Sequence, residues 1–164
     1  MDFNLSEIPQ ANWHNRAVIE ANKIKKNPSF KTQTMWENGK YVQRTFEDLL
    51  WRTKQGHACE QYLMQYCGYT DDEREYRDVI DPEGNPVEVK VCNPDYIEVN
   101  LERWAKEKTE TNDQGVRWKG WPDILQVWGN HSKVRGEIVE EYKYIGKYEW
   151  DETHLKWRKI NVHV

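Results

Sequence analysis

Asp78, Glu88 and Lys90 are the side chains of this chain whose types and spacing best suit chemistry. They lie in Tyr76-Arg77-Asp78-Val79-Ile80-Asp81-Pro82-Glu83-Gly84-Asn85-Pro86-Val87-Glu88-Val89-Lys90-Val91, which reads as two strands joined by a tight turn. Asp-Pro-Glu-Gly suits a type I turn: Pro fixes φ, and Gly accepts the positive φ that follows. A three-residue loop, Pro82 to Gly84, pairs Asp81 with Asn85, Ile80 with Pro86 and Asp78 with Glu88. The strand period of two then puts Asp78, Glu88 and Lys90 on one face, with Val87, Val89 and Val91 on the other, toward a core. Two carboxylates and an ammonium converging beside a rigid sheet make a site for a divalent cation and an activated water. Asp81 competes with Asp78 for the role of first acid, but this register puts it in the turn on the opposite face. The same spacing also describes a hairpin with one wet face, in which Lys90 is a salt-bridge partner of Glu88 and the protein is inert.

The surrounding elements must hold this hairpin in place. Residues 9–27 read as a helix with a stripe of Ala11, Ala17, Val18, Ala21 and Ile24 and a basic end at Lys23, Lys25 and Lys26, stopped by Asn27-Pro28. Residues 30–43 read as a small hairpin turning at Asn38-Gly39. Thr45 with Asp48 starts a helix that runs to about Cys67 and stops at Gly68. Its buried face is expected to hold Leu49, Leu50, Trp51, Ala58, Cys59, Tyr62, Leu63 and Tyr66. Gly56 inside it predicts close packing or a break. The run Asp71, Asp72, Glu73, Arg74, Glu75 reads as a solvated connection. After the 75–92 hairpin, residues 99–110 suit a helix capped by Asn100 with Leu101, Trp104 and Ala105 inward. A polar loop from Thr109 to Trp118 follows, then strands at Trp121 to Trp128, Gly136 to Trp150 and His154 to Val164. This order predicts an α/β (α+β) domain around a mixed central sheet flanked by helices. Residues 1–44 form an N-terminal helix and hairpin arm, and residues 45–164 form the core.

The 164 residues allow one domain with a real core. Charged residues make up 32% and the mean hydropathy is −1.05, so no run approaches a membrane span. The N-terminus shows no basic region followed by an apolar stretch, and Cys59, Cys67 and Cys92 form no CxxC pair, which fits a reducing cytosol. A net charge of −4 argues against coating nucleic acid by bulk electrostatics but leaves room for a local basic groove. Nine Trp and nine Tyr are mostly core material, with a few left to stack on bases or line an interface.

A helix, a hairpin bearing an Asp, a strand bearing Glu-x-Lys, another helix and further strands: this order resembles the PD-(D/E)xK nuclease superfamily, the restriction-endonuclease-like fold, over about residues 45–150. Asp78 matches the motif Asp, Glu88 the second acid and Lys90 the catalytic Lys. Glu60, in Gly56-His57-Ala58-Cys59-Glu60-Gln61-Tyr62-Leu63, matches the metal-proximal Glu of the family's first core helix. Arg77 stands where the family name has Pro, and the literal Pro-Asp pairs at Pro94-Asp95 and Pro122-Asp123 fall after Glu88 and Lys90 and read as decoys, Asp123 being at most an extra ligand. The resemblance implies a Mg²⁺-dependent DNA endonuclease, with Mn²⁺ as substitute. Asp78, Glu88 and the carbonyl of Val89 would be ligands, Glu60 would hold a second ion or a metal-bound water, and Lys90 would orient the nucleophilic water. It further implies a homodimer as one way of cutting both strands, and the compact size suits a phage or bacterial enzyme of the cytoplasm. A non-catalytic protein- or nucleic-acid-binding module on the same fold is the alternative.

Other chemistry has less support. His14, His57, His131, His154 and His163 show no ligand spacing; His57 lies one helical turn before Glu60 and either lines the site or packs. No Gly-rich phosphate loop or GxSxG occurs. Candidate phosphate contacts are Lys23, Lys25, Lys26, Lys54, Lys133, Arg135, Lys156, Arg158 and Lys159. The best is Lys156-Trp157-Arg158-Lys159, which pairs basic charge with an aromatic ring.

Overall fold

The structure is a computed structural model and describes residues 2–8, 10–74, 78–132, 136–137 and 139–160. Lys133, Arg135 and His163, and the hairpin positions Tyr76 and Arg77, lie outside the described residues, as does Glu75.

Strands β1 (Asp2–Asn4), β4 (Thr70–Asp71), β5 (Val79–Ile80), β6 (Pro86–Cys92), β7 (Ile124–Gly129), β8 (Glu141–Asp151) and β9 (Lys156–Ile160) build one sheet. Its order is β1-β8-β7-β6-β5-β4, with β9 also pairing β8. Pairing is antiparallel throughout except for β6 and β7, which run parallel and are linked by helix α3 (Ile97–Thr109). Parallel neighbours require such a crossover. A second, two-stranded sheet is the hairpin β2 (Thr34–Glu37) and β3 (Lys40–Gln43). It turns at Asn38 and Gly39, both with positive φ, as an Asn-Gly hairpin does.

Two helices cover one face of the sheet. Helix α1 (Gln10–Lys25) is followed by Asn27, whose side chain caps the 3-10 turn Pro28–Thr32. Helix α2 (Phe46–Tyr66) begins where the Thr45 hydroxyl accepts the Asp48 N–H at 3.1 Å, and its C-terminus is followed by Gly68 at φ +75°. Ala17 and Ala21 of α1, Ala58, Cys59 and Leu63 of α2 and Val79, Val87 and Trp128 of the sheet are fully or almost fully buried. Phe3 of β1 stacks between Tyr62 and Tyr142 at 4.4 and 4.9 Å and so lies in the main core. A second cluster, Cys92, Trp104, Trp121, Leu125, Val127, Tyr148 and Trp157, lies with α3 on the other face. Alternation along β6 and β7 divides side chains between the two clusters.

Several sequence expectations change in detail. Gly56 neither breaks α2 nor meets a close neighbour: a Cβ there would find only Glu60 Oε2, at 3.9 Å. Tyr66 is exposed rather than buried, its hydroxyl donating to the Glu7 carbonyl at 2.7 Å. Asp72, read as part of a solvated run, is buried and held by Arg74 through contacts of 2.7 and 2.9 Å. Asn100 does not cap α3, which starts earlier behind the 3-10 turn Pro94–Tyr96; its amide donates to the Tyr96 carbonyl at 2.8 Å. The Tyr66 contact depends on a partner distant in sequence, and the start of α3 lies one turn earlier than the pattern demanded.

Candidate functional site

The hairpin of β5 and β6 adopts the register of a three-residue loop. Val79 pairs with Val87 and Ile80 with Pro86; the Asp81 N–H donates to the Asn85 carbonyl, and Gly84 takes φ +89°. One step beyond this ladder the Asp78 N–H donates to the Val87 carbonyl at 3.2 Å, and Asp78 Oδ2 accepts the Val89 N–H at 2.8 Å. The Asp78 carboxylate is therefore held by the backbone of the strand that carries Glu88 and Lys90. Glu88 is buried, with Oε1 3.4 Å from Lys90 Nζ. Its Oε2 is buried and has no hydrogen-bond partner among the described residues. The Lys90 ammonium, half-buried, also sits 4.8 Å from the centroid of the Trp121 ring.

Helix α2 adds Glu60, which is buried, with Oε2 3.4 Å from His57 Nδ1. The other imidazole nitrogen, Nε2, is hydrogen-bonded to the Glu20 carboxylate of α1. The spacing of His57 and Glu60 puts both on one side of the helix. Glu20, His57, Glu60, Asp78, Glu88 and Lys90 all line one cleft of about 550 Å³. Its walls are α1, α2, β6, α3 and the β2–β3 hairpin.

The acids in this cleft are electrostatically strained. Burial, then the Asp78 charge, pushes the Glu88 carboxyl well above its ordinary value, against the pull of Lys90. Burial and the same Asp78 charge push Glu60 well up, with Glu20 and Glu88 adding to it. Burial raises Asp78 as well, although the Val89 N–H and Lys90 oppose the rise. For Lys90, burial alone would lower the ammonium, but Glu88, Glu107 and Asp78 outweigh it and hold the group above its usual value. Glu20 goes the other way: burial would raise it, but the hydrogen bond and charge of His57 bring it below its ordinary value. Mutually repelling carboxylates in one cleft are a common mark of functional sites. Their donor set is all oxygen, which suits a hard divalent cation. Among the described residues no group of three or more His, Cys, Asp or Glu side chains is arranged closely enough to hold a metal ion as it stands.

The structure brings Asp78, Glu88, Val89, Lys90 and Glu60, together with His57, to this cleft; Asp81, Asp95, Asp123, Lys54, Lys156, Trp157, Arg158 and Lys159 are not part of its lining. Asp81 is buried at the turn, where its carboxylate accepts the Asn85 N–H at 2.8 Å and faces Lys147 Nζ at 3.4 Å. Asp123 is exposed and paired with Lys108 at 3.0 Å; Asp95 is exposed in its 3-10 turn. Lys54 is half-buried on α2, away from the cleft lining. Trp157 is buried 5.1 Å from Trp150 and 6.3 Å from Trp121, so its ring is occupied by core packing rather than presented to a base. Arg158 is tied to Asp151 at 2.6 Å, the Lys159 stem crosses Gly146, and Lys156 is exposed. This group sits on β9, beyond β8 and β7 from the strand that carries Glu88.

Sequence reading missed Glu20 and Glu107 as cleft residues and left His57 undecided. Glu20 and Glu107 carry no local signal, because each is an ordinary polar position on an amphipathic helix. Only the packing of α1 and α3 around the cleft selects them. His57 had a usable signal in its spacing to Glu60.

Compared with protein-family models, with curated proteins and with solved structures, the chain matches none. The mixed α/β sheet with flanking helices and the geometry of this cleft therefore carry the functional reading by themselves. Among the described residues, no helix is long and apolar enough to cross a membrane.

Proposed function

We propose that this chain is a Mg²⁺-dependent DNA endonuclease of the restriction-endonuclease-like, PD-(D/E)xK type. The observation that carries the reading is the convergence of Asp78, Glu88 and Lys90, with Glu60, on one cleft, where Glu88 keeps a buried carboxylate oxygen without a hydrogen bond among the described residues. A buried polar atom left unpaired is costly, and so is a group of like charges. A divalent cation removes both costs at once, so the residues present fit such an ion. Asp78, Glu88 and the Val89 carbonyl would hold it, with Glu60 facing a second ion or its water.

The bound cation supplies charge neutralisation at the phosphodiester and a lowered pKa for the attacking water. The chain's own residues do the rest. The Val89 N–H fixes the Asp78 carboxylate, so that group needs no rearrangement to act. Lys90 stays protonated beside Glu88 and donates toward the water or the non-bridging phosphate oxygens. His57, held by Glu20, sets its Nδ1 3.4 Å from Glu60 Oε2. The order of elements agrees: α2, the antiparallel β4-β5-β6 meander, α3, then β7 parallel to β6.

Nicking of supercoiled plasmid with Mg²⁺ or Mn²⁺ tests the proposal with wild type, Asp78→Ala and Lys90→Ala. Each substitution is expected to lower the rate by at least about 100-fold. Wild-type cleavage that survives either change sinks the assignment. Absence of cleavage of any DNA or RNA form supports a binding module instead.

A further inference from the structure

The β2–β3 hairpin presents two aromatic rings to the cleft. Trp36 and Tyr41 are cross-strand partners with centroids 4.9 Å apart and planes at 79°. They are 57% and 72% exposed, in a chain that buries Trp13, Trp104, Trp121, Trp128 and Trp157. Both line the same cleft as Glu88 and Lys90. Apolar rings of this size gain nothing from water, and among the described residues the hairpin pairs with no strand of the main sheet. Met35, on the opposite face of β2, is the residue that anchors the hairpin inward.

The hairpin is also set firmly. Arg44, just after β3, bonds Asp48 of α2 at 3.0 Å and Gln33 at 2.9 Å, and the Arg44 N–H donates to the Gln33 carbonyl at 2.9 Å. Arg44 and Arg52, both paired with Asp48, and the exposed Arg103 line the same cleft. Aromatic faces next to cations, leading to a group of metal-seeking carboxylates, complement a polyanion whose flat bases are uncovered. In a duplex the faces of the bases are covered by their neighbours; in an unpaired strand they are free.

We propose that Trp36 and Tyr41 form a base-stacking clamp, so that the cleft takes an unpaired nucleic-acid strand in preference to a continuous duplex. The clamp deepens the nuclease reading by naming its substrate class, and rests on that reading for the chemistry at the strand it holds. The stacked bases place the adjoining phosphate toward Lys90 and Glu88, and the exposed Arg103 at the cleft meets the backbone.

Fluorescence anisotropy in EDTA tests the clamp without cleavage. The probes are a short single-stranded deoxythymidine oligomer and its duplex with the deoxyadenosine complement. Each exposed ring removed, Trp36→Ala or Tyr41→Ala, is expected to weaken single-strand binding about tenfold, with Trp36→Phe and Tyr41→Phe restoring most of it. Duplex binding is expected to change less than about twofold. A double Ala variant that folds by circular dichroism and keeps wild-type single-strand affinity overturns the clamp, as does an equal loss for both probes. The plasmid assay is read separately. Cleavage with unchanged anisotropy removes the clamp alone, and a clamp that binds while every substrate stays intact removes the catalytic reading alone.

Discussion

Replacing Glu88 by Gln separates function from stability at the candidate site. In the wild type Glu88 is buried, Oε2 has no hydrogen bond among the described residues, and Oε1 meets Lys90 at 3.4 Å. Its folded-state pKa lies above the ordinary 4.5. A raised carboxylate favours folding most when protonated, so its cost is absent below the unfolded pKa. The cost grows as pH rises toward the folded pKa and is complete above it. Gln has the same shape without the charge. Removing the buried charge, and with it the repulsion from Asp78, recovers about 1–3 kcal/mol. Losing the partner of a half-exposed Lys90 returns about 0.2–1 kcal/mol. The variant is therefore expected to be more stable in EDTA at pH 7.5 by roughly 1–2 kcal/mol, a Tm about 2–8 °C higher for a domain of this size. The difference should shrink at pH 5. Saturating Mg²⁺ or Mn²⁺ reverses the order: ligand at 100 times its Kd stabilises the wild type by about 2.7 kcal/mol and leaves Glu88→Gln nearly unmoved. Differential scanning calorimetry over pH and cation concentration reads all of this. A Gln variant that is less stable than wild type at pH 7.5 without metal, and a wild type indifferent to the cation, would make Glu88 a structural ion-pair residue and refute the reasoning.

Other outcomes follow from the same structure. Asp81→Ala leaves Lys147 buried beside an empty partner position, and urea unfolding should show a loss of about 3–5 kcal/mol while the metal response persists. Asp81 is held below its ordinary value, with burial outweighed by Asn85 and Lys147; its contribution is present above the unfolded pKa and is lost as pH falls through the lower folded one, so the wild type should lose stability on acidification and Asp81→Asn should lose less. Gly56→Ala should stabilise the protein by about 1 kcal/mol in thermal unfolding, because the helix gains a better former and the new Cβ meets only Glu60 Oε2 at 3.9 Å; a loss would show that the cleft needs that space. Trp157→Ala should cost about 3–5 kcal/mol as a core deletion, and its nucleic-acid affinity, measured where the variant is still folded, should match wild type.

The central hairpin was legible because local chemistry specifies it: an Asp-Pro-Glu-Gly turn sets the loop, the loop sets the register, and the register puts Asp78 rather than Asp81 beside Glu88. Helix α2 was legible from Thr45, Gly68 and its apolar stripe, and Glu60 followed from its place on it. At Lys156 to Lys159 the direction of the ring was not legible, because aromatic and basic residues in sequence look the same whether the ring points to solvent or to the core. Alternation on β9 and packing against Trp121 and Trp150 turn Trp157 inward. The reverse holds for Trp36 and Tyr41, which alternate with Met35 and Val42 as in any hairpin and become cleft residues only through where the hairpin docks.

By itself, then, the sequence determined the elements, the hairpin register and the face shared by Asp78, Glu88 and Lys90, because turn geometry and the two-residue strand period act over a few bonds. The tertiary structure decided what surrounds that face: His57 bonded to Glu20 and set 3.4 Å from Glu60, Glu107 in the cleft lining, the Oε2 of Glu88 without a hydrogen bond among the described residues, and the exposed rings of Trp36 and Tyr41. Burial and charge repulsion depend on neighbours brought from distant parts of the chain, and those are specified only when the helices pack on the sheet.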